Sequence, residues 1–121
     1  MGRPKYVFVG DDVLKASRLR GKPFNRPLIF TASTNQKVLE YIKDEDVAGI
    51  ILDIEADEFY GEALNYFDLV WDLEGNFAGY VCAVSDRPER REEFEGYFKL
   101  PSYSWEELTT KVIDGSLQEN V

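Results

Sequence analysis

Short runs of consecutive apolar residues recur along the chain and predict five buried strands. The clearest run, Ala48–Leu52, is closed by Asp53. Uninterrupted apolar runs of this length are typical of strands that are covered on both faces. The predicted strands are Tyr6–Val9, Leu28–Thr31, Val47–Ile54, Tyr80–Val84 and Tyr97–Lys99.

Between these runs the apolar positions change to helical spacing. A short helix is predicted over Val13–Leu19, and a second helix is capped by Ser33 or Thr34. A third helix opens at Gly61, and a short charged helix covers Pro88–Phe94. The positions expected to face the core from the second and third helices are Val38, Leu39, Ile42, Ala63, Leu64, Phe67, Val70 and Trp71.

The last helix is predicted from its capping box. Ser104 is followed three residues later by Glu107, which is the S-x-x-E pattern of a helix start. Trp105, Leu108 and Val112 then fall on one face. Strands that alternate with helices predict a single α/β domain over residues 1–121, with a parallel sheet covered on both faces. Residues 115–121 are predicted to form a flexible tail.

The composition excludes several kinds of partner and chemical site. The formal net charge is −9, from 14 Lys and Arg against 23 Asp and Glu, so we expect neither nucleic acid nor an anionic membrane as a partner. Histidine is absent, which excludes Ser-His-Asp and Cys-His nucleophiles and imidazole metal sites. Cys82 is the sole cysteine and is read as a buried thiol, and no apolar stretch is long enough to span a bilayer. We expect a cytoplasmic protein.

Polar side chains end several predicted strands. Asp11 and Asp12 follow the first strand, Asp53 ends the third and Ser85 follows the fourth. The carboxyl ends of parallel strands share one edge of the sheet, where sites form in this class of fold, and the Lys99 region is expected there too. Three clustered carboxylates repel one another unless a cation joins them, and a hard divalent ion such as Mg²⁺ suits their oxygens.

The order and spacing of these residues resemble the receiver domain of two-component response regulators, over nearly the whole chain. The residues that carry the resemblance are Gly10, Asp11, Asp12, Asp53, Gly61, Ser85 and Pro101. The resemblance implies a three-layer, flavodoxin-like doubly wound sheet with strand order 2-1-3-4-5. It also implies a signalling protein, not an enzyme, that is a monomer or weak homodimer and acts on a protein effector.

The same resemblance implies a role for each site residue. Asp53 would accept a phosphoryl group from a histidine kinase or a phosphotransfer protein, with Ser85 and Lys99 contacting that group. The implied Mg²⁺ ligands are Asp11, Asp12, Asp53 and the backbone carbonyl of Glu55. Mg²⁺ would neutralise the charge of the transferring group.

The sequence departs from the family at four points. Leu100 stands where the family has a lysine before the proline, so Lys99 is displaced by one residue. Because side chains alternate along a strand, Lys99 is predicted to point away from the phosphoryl site unless a bulge turns it back. Asp57 replaces a proline, and Asp86 replaces a small residue beside the site. The segment from Ser85 to Lys99 is short, so helix four, like helix one, is expected to be shortened.

These departures leave several functions open. The first is a working phosphoacceptor that switches between two states. The second is a degenerate pseudo-receiver that binds a protein partner independently of phosphorylation. A small Mg²⁺ phosphatase with Asp53 as nucleophile is disfavoured by the short chain, and a flavin carrier is disfavoured because Asp11 and Asp12 occupy the loop that would cradle phosphate.

Overall fold

A computed structural model describes residues 5–10, 28–55, 65–114 and residue 117. Strands and helices alternate along these ranges. In chain order they are β1 Lys5–Val9, β2 Leu28–Ala32, α1 Asn35–Asp44, β3 Gly49–Asp53, α2 Tyr66–Asn76, β4 Tyr80–Val84, α3 Pro88–Phe98, β5 Ser102–Tyr103 and α4 Trp105–Asp114. The predicted helix over residues 13–19 lies outside the described residues.

The strands form one parallel sheet in the order β2-β1-β3-β4-β5. The central strand β3 pairs with β1 on one side and β4 on the other, with Ile51 beside Phe8 and Cys82. All four strand pairs are parallel. The predicted strand order is therefore confirmed, and the carboxyl ends of β1, β3, β4 and β5 lie along a common edge, which we call the carboxyl edge.

Both faces of the sheet are covered, as predicted. Because side chains alternate along a strand, Ile50 and Leu52 of β3 pack beneath α1, α2 and α3, while Ile51 packs on the opposite side with α4. We call the cluster beneath α1, α2 and α3 the first core and the cluster beneath α4 the second core. Leu117 is fully buried in the second core, although the sequence predicts a flexible tail there. The rest of that predicted tail lies outside the described residues.

Side-chain caps fix the starts of α1 and α4. Thr34, one of the two predicted candidates, accepts a hydrogen bond at Oγ1 from the Lys37 amide at 3.1 Å. The capping box before α4 is confirmed, since the Ser104 amide donates to Glu107 and the Glu107 amide donates to Ser104.

The predicted strand at Tyr97–Lys99 is wrong. These residues end α3, which extends past the predicted limit at Phe94, and the fifth strand is Ser102–Tyr103. An aromatic pair has high strand propensity, but here the Phe98 ring lies 4.8 Å from the Phe94 ring one helical turn earlier. Lys99 then ends the helix in the left-handed conformation, with φ 58°.

The orientation predicted for two aromatic residues of α2 is also wrong. Phe67 and Trp71 were expected to face the core, but they are 40% and 78% exposed. The buried face of α2 consists of Tyr66, Leu69, Val70 and Leu73. This face is rotated from the predicted one and packs in the same core cluster as Ile50 and Leu52 of β3.

Candidate functional site

Asp53 lies at the carboxyl edge, where β3 ends. Its side chain is buried, and its Oδ1 accepts a hydrogen bond from the Glu55 amide at 3.1 Å. The backbone of Gly10 passes directly against it, since a Cβ at Gly10 would lie 2.9 Å from the Asp53 Cβ and 3.2 Å from Oδ2. The loop after β1 therefore begins in contact with the Asp53 carboxylate.

The sequence-predicted metal ligands are placed only in part. Asp11 and Asp12 lie outside the described residues, while Asp53 and Glu55 are adjacent along the carboxyl edge. Among the described residues, no group of three or more Asp, Glu, Cys or His side chains could hold a metal ion. The oxygen donors of Asp53 and of the Glu55 carbonyl suit Mg²⁺. Because two of the four predicted ligands lie outside the described residues, the Mg²⁺ site stays a prediction.

Ser85 follows β4 beside this site and is fully buried. Its amide donates to the Tyr103 carbonyl at 3.0 Å, which continues the β4–β5 pairing. Its Oγ accepts from the Arg87 amide at 3.0 Å, and its carbonyl accepts from the Arg91 guanidinium. Ser85 thus lies on the predicted edge and orients the start of α3.

Ser104 directly follows β5, at the end of the sheet where the resemblance calls for a lysine. This corrects the prediction that Leu100 stands at that position. Leu100 instead precedes β5 and packs against the first core. The Ser104 side chain is a helix cap and carries no positive charge.

Lys99 is not brought to Asp53. Helix α3 starts at the carboxyl edge after β4 and runs back to the other end of the sheet, where β5 begins. Lys99 terminates that helix, with its amide bonded to the Glu95 carbonyl at 3.0 Å. It therefore lies at the amino end of the sheet, opposite Asp53.

Three side chains join the ends of β3, β4 and β5, and we call them the edge network: Glu55, Asp86 and Trp105. Glu55 Oε1 accepts from the Trp105 indole Nε1 at 2.7 Å and from the Asp86 amide at 3.3 Å. Asp86 Oδ1 accepts from the Trp105 amide at 2.9 Å. The Trp105 ring is buried and lies 5.7 Å from the Phe8 ring. The network therefore anchors the start of α4 to the loop that follows Asp53.

Two further residues at this edge, Tyr66 and Arg90, were not predicted from the sequence. The buried Tyr66 hydroxyl donates to the Asp53 carbonyl at 2.6 Å and lies 3.2 Å from the Val9 carbonyl, which ties α2 to the ends of two strands. Arg90 of α3 is also buried, donates from Nε to the Ile54 carbonyl at 3.3 Å and pairs with Glu93 at 3.1 Å. No local sequence signal marks either residue, because the predicted buried face of the third helix excluded Tyr66 and the charged helix that carries Arg90 had no predicted buried face.

Several solved structures with the same fold are response regulator receiver domains. The receiver domain of an HD domain-containing protein from Pseudomonas fluorescens Pf-5 has a TM-score of 0.66 at 12% identity, covering 98% of this chain and 97% of that chain. A CheY-like receiver domain from Methanospirillum hungatei JF-1 has a TM-score of 0.65 at 15% identity, covering 98% of both chains.

The receiver domain of the TMAO respiratory response regulator TorR has a TM-score of 0.64 at 19% identity and covers 92% of this chain and 94% of its own. No protein-family model and no curated protein matches the sequence. The chain therefore has the fold of a response regulator receiver domain. None of the helices in its described ranges is long and apolar enough to cross a membrane.

Proposed function

We propose that this chain is a receiver-like signalling module that binds a protein effector through a constitutive conformation, as a pseudo-receiver. The observation that carries the proposal is the end of β5, where Ser104 and Trp105 follow the strand and Trp105 is held by the edge network. This arrangement joins the loops of β3, β4 and β5 without any modification of Asp53. The proposed role is signalling in the cytoplasm, without catalytic turnover.

Electrostatics support this proposal. A phosphoryl group on Asp53 would add negative charge and needs positive charge nearby. The Glu55 and Asp86 carboxylates lie at the same edge, and the residue after β5 is an uncharged serine. The Arg90 and Arg91 guanidiniums at this edge donate to the Ile54 and Ser85 carbonyls, and Arg90 also pairs with Glu93. Repulsion from the Glu55 and Asp86 carboxylates would oppose the transfer of a phosphoryl group to Asp53 in this conformation.

A second candidate is a working phosphoacceptor, with Asp53 as nucleophile and Mg²⁺ held by Asp11, Asp12, Asp53 and the Glu55 carbonyl. The observation that favours it is the position of Asp53 at the end of β3, with Gly10 against its carboxylate and Ser85 at the end of the neighbouring strand. A histidine kinase or a phosphotransfer protein would then be a partner.

Intact-mass analysis after incubation with Mg²⁺ and acetyl phosphate separates the two candidates. The pseudo-receiver predicts no Asp53-dependent phosphate adduct under conditions that modify a control receiver. The matched variant is Asp53→Ala. An adduct on the unaltered chain that disappears in Asp53→Ala would overturn the pseudo-receiver and establish the phosphoacceptor.

A further inference from the structure

An aromatic surface lies on α2 and α3. It consists of Phe67, Trp71 and Tyr97, which are 40%, 78% and 62% exposed. The Phe67 ring bridges the two helices, with its centroid 5.6 Å from Tyr97 and 5.0 Å from Phe98. Trp71 lies one helical turn after Phe67, so the surface continues along α2. Exposed aromatic clusters of this kind mark protein interaction sites.

An apolar cleft of about 170 Å³ adjoins this surface. Its walls include Val70, Leu73, Glu74, Phe77, Val81 and Leu100. Val70 and Glu74 belong to the same turns of α2 as Trp71, and Leu100 follows the end of α3. The cleft is large enough to accept an aliphatic side chain.

The charges of α2, the helix that carries Phe67 and Trp71, are all acidic and favour one kind of occupant. The charged residues of α2 are Asp68, Asp72 and Glu74, and the helix carries no basic residue. Asp68 and Glu74 lie three residues before and after Trp71, one turn to either side. A Lys or Arg side chain could pair with these carboxylates and also lie over the Trp71 ring as a cation–π contact.

We propose that this surface binds a helical segment of a partner protein that is apolar on one face and rich in Lys and Arg on its flanks. An apolar side chain of the segment fills the cleft, and Trp71 is the main anchor. A second copy of this chain fits poorly, because a symmetric contact would bring Asp68 and Glu74 of both copies together. The inference names the protein contact of the proposed pseudo-receiver and so rests on that proposal.

Calorimetric titration with a model peptide tests the inference. The probe is a synthetic peptide of about 15 residues, long enough to form a helix, with Leu and Lys at helical spacing. We expect saturable binding that Trp71→Ala weakens at least about tenfold, as for other buried interface anchors. The double variant Asp68→Asn/Glu74→Gln is expected to weaken binding several-fold, and a Glu-for-Lys peptide is expected not to bind.

The matched control is Asp44→Asn/Asp46→Asn, which removes the same charge from exposed positions outside the surface. It is expected to keep the original affinity. Absence of saturable binding, equal binding to Trp71→Ala or equal loss in the control would overturn the inference. Concentration-dependent self-association that Trp71→Ala abolishes would also overturn it and assign the surface to a second copy. These outcomes are independent of the phosphate-adduct assay, which reports on Asp53.

Discussion

At the scale of single residues, Gly10 marks the point where the loop after β1 meets Asp53. Any side chain there would overlap Asp53, because a Cβ at Gly10 would lie 2.9 Å from the Asp53 Cβ. We expect Gly10→Ala to lower the free energy of unfolding by about 1–3 kcal/mol, the usual cost of overpacking. Urea denaturation measures this change.

Gly96 provides the matched control, because a Cβ built there meets no atom within 4 Å. Gly96→Ala lies inside α3 and should raise the free energy of unfolding by about 0.5–1 kcal/mol, since alanine restricts the unfolded chain. Equal effects of the two substitutions would show that Gly10 is not in tight contact with Asp53.

Tyr66 makes the second prediction at this scale. Tyr66→Phe removes the hydroxyl that donates to the buried Asp53 carbonyl and leaves that carbonyl without this donor. We expect a loss of about 1–3 kcal/mol in chemical denaturation, the cost of an unmade buried hydrogen bond. Tyr97→Phe, on an exposed side chain, is the control and should change stability by less than about 0.5 kcal/mol. A neutral Tyr66→Phe would argue against the hydroxyl as a link between α2 and the carboxyl edge.

At the scale of elements, Lys99 is a helix terminator. Its φ of 58° places it in the left-handed region, which glycine adopts without the steric cost that lysine bears. Lys99→Gly is therefore expected to stabilise the domain by about 0.5–1 kcal/mol in thermal or urea unfolding. The same substitution at Lys43, within the last turn of α1, should destabilise it by about 1 kcal/mol.

This prediction also separates two roles for Lys99. If the unaltered chain forms an Asp53 adduct, a Lys99 that contacts the phosphoryl group predicts a lower adduct yield in Lys99→Gly. A helix terminator predicts the same yield together with a gain in stability. Destabilisation by Lys99→Gly would contradict the terminator role.

The elements that could be predicted from the sequence are those whose pattern is strong locally. The apolar runs of β1, β3 and β4 are buried on both faces, and the capping box fixes the start of α4. Strand β5 has only two residues, Ser102 and Tyr103, both half-buried, so it has no comparable pattern. The neighbouring aromatic pair at the end of α3 has a stronger strand propensity than the strand itself.

The residues of the candidate site were predictable where they follow a strong local pattern. Asp53 and Ser85 follow from the ends of apolar strands, which is a local signal. The edge network does not, because Glu55 and Trp105 are 50 positions apart and meet only after β5 is placed. The error in β5 therefore hid the contact that most affects the proposed function.

At the scale of the whole molecule, the buried sheet predicts loss of stability at alkaline pH. Burial raises the pKa of the Cys82 thiol above its ordinary value, and burial followed by the Tyr103 hydrogen bond raises the pKa of the Tyr80 hydroxyl. Both groups stay protonated in the folded chain at pH values where they ionise in the unfolded chain. The unfolded-state pKa is about 8.5 for Cys and about 10 for Tyr.

The unfolded state then binds fewer protons than the folded state, so the free energy of unfolding falls as pH rises above these values. Each group contributes a slope of up to about 1.4 kcal/mol per pH unit, and its contribution is fully present below its unfolded pKa. Urea midpoints measured from pH 7 to pH 11 should therefore be flat up to about 8.5 and then decline, more steeply above about 10.

Cys82→Ala isolates the thiol. It is expected to lower stability at every pH because it leaves a small cavity in the second core, but the decline between about 8.5 and 10 should disappear while the later decline persists. An unchanged pH profile in Cys82→Ala would mean that the thiol ionises equally in both states. That result would contradict the complete burial of Cys82, which lies beside Ile51 of the central strand in the core cluster covered by α4.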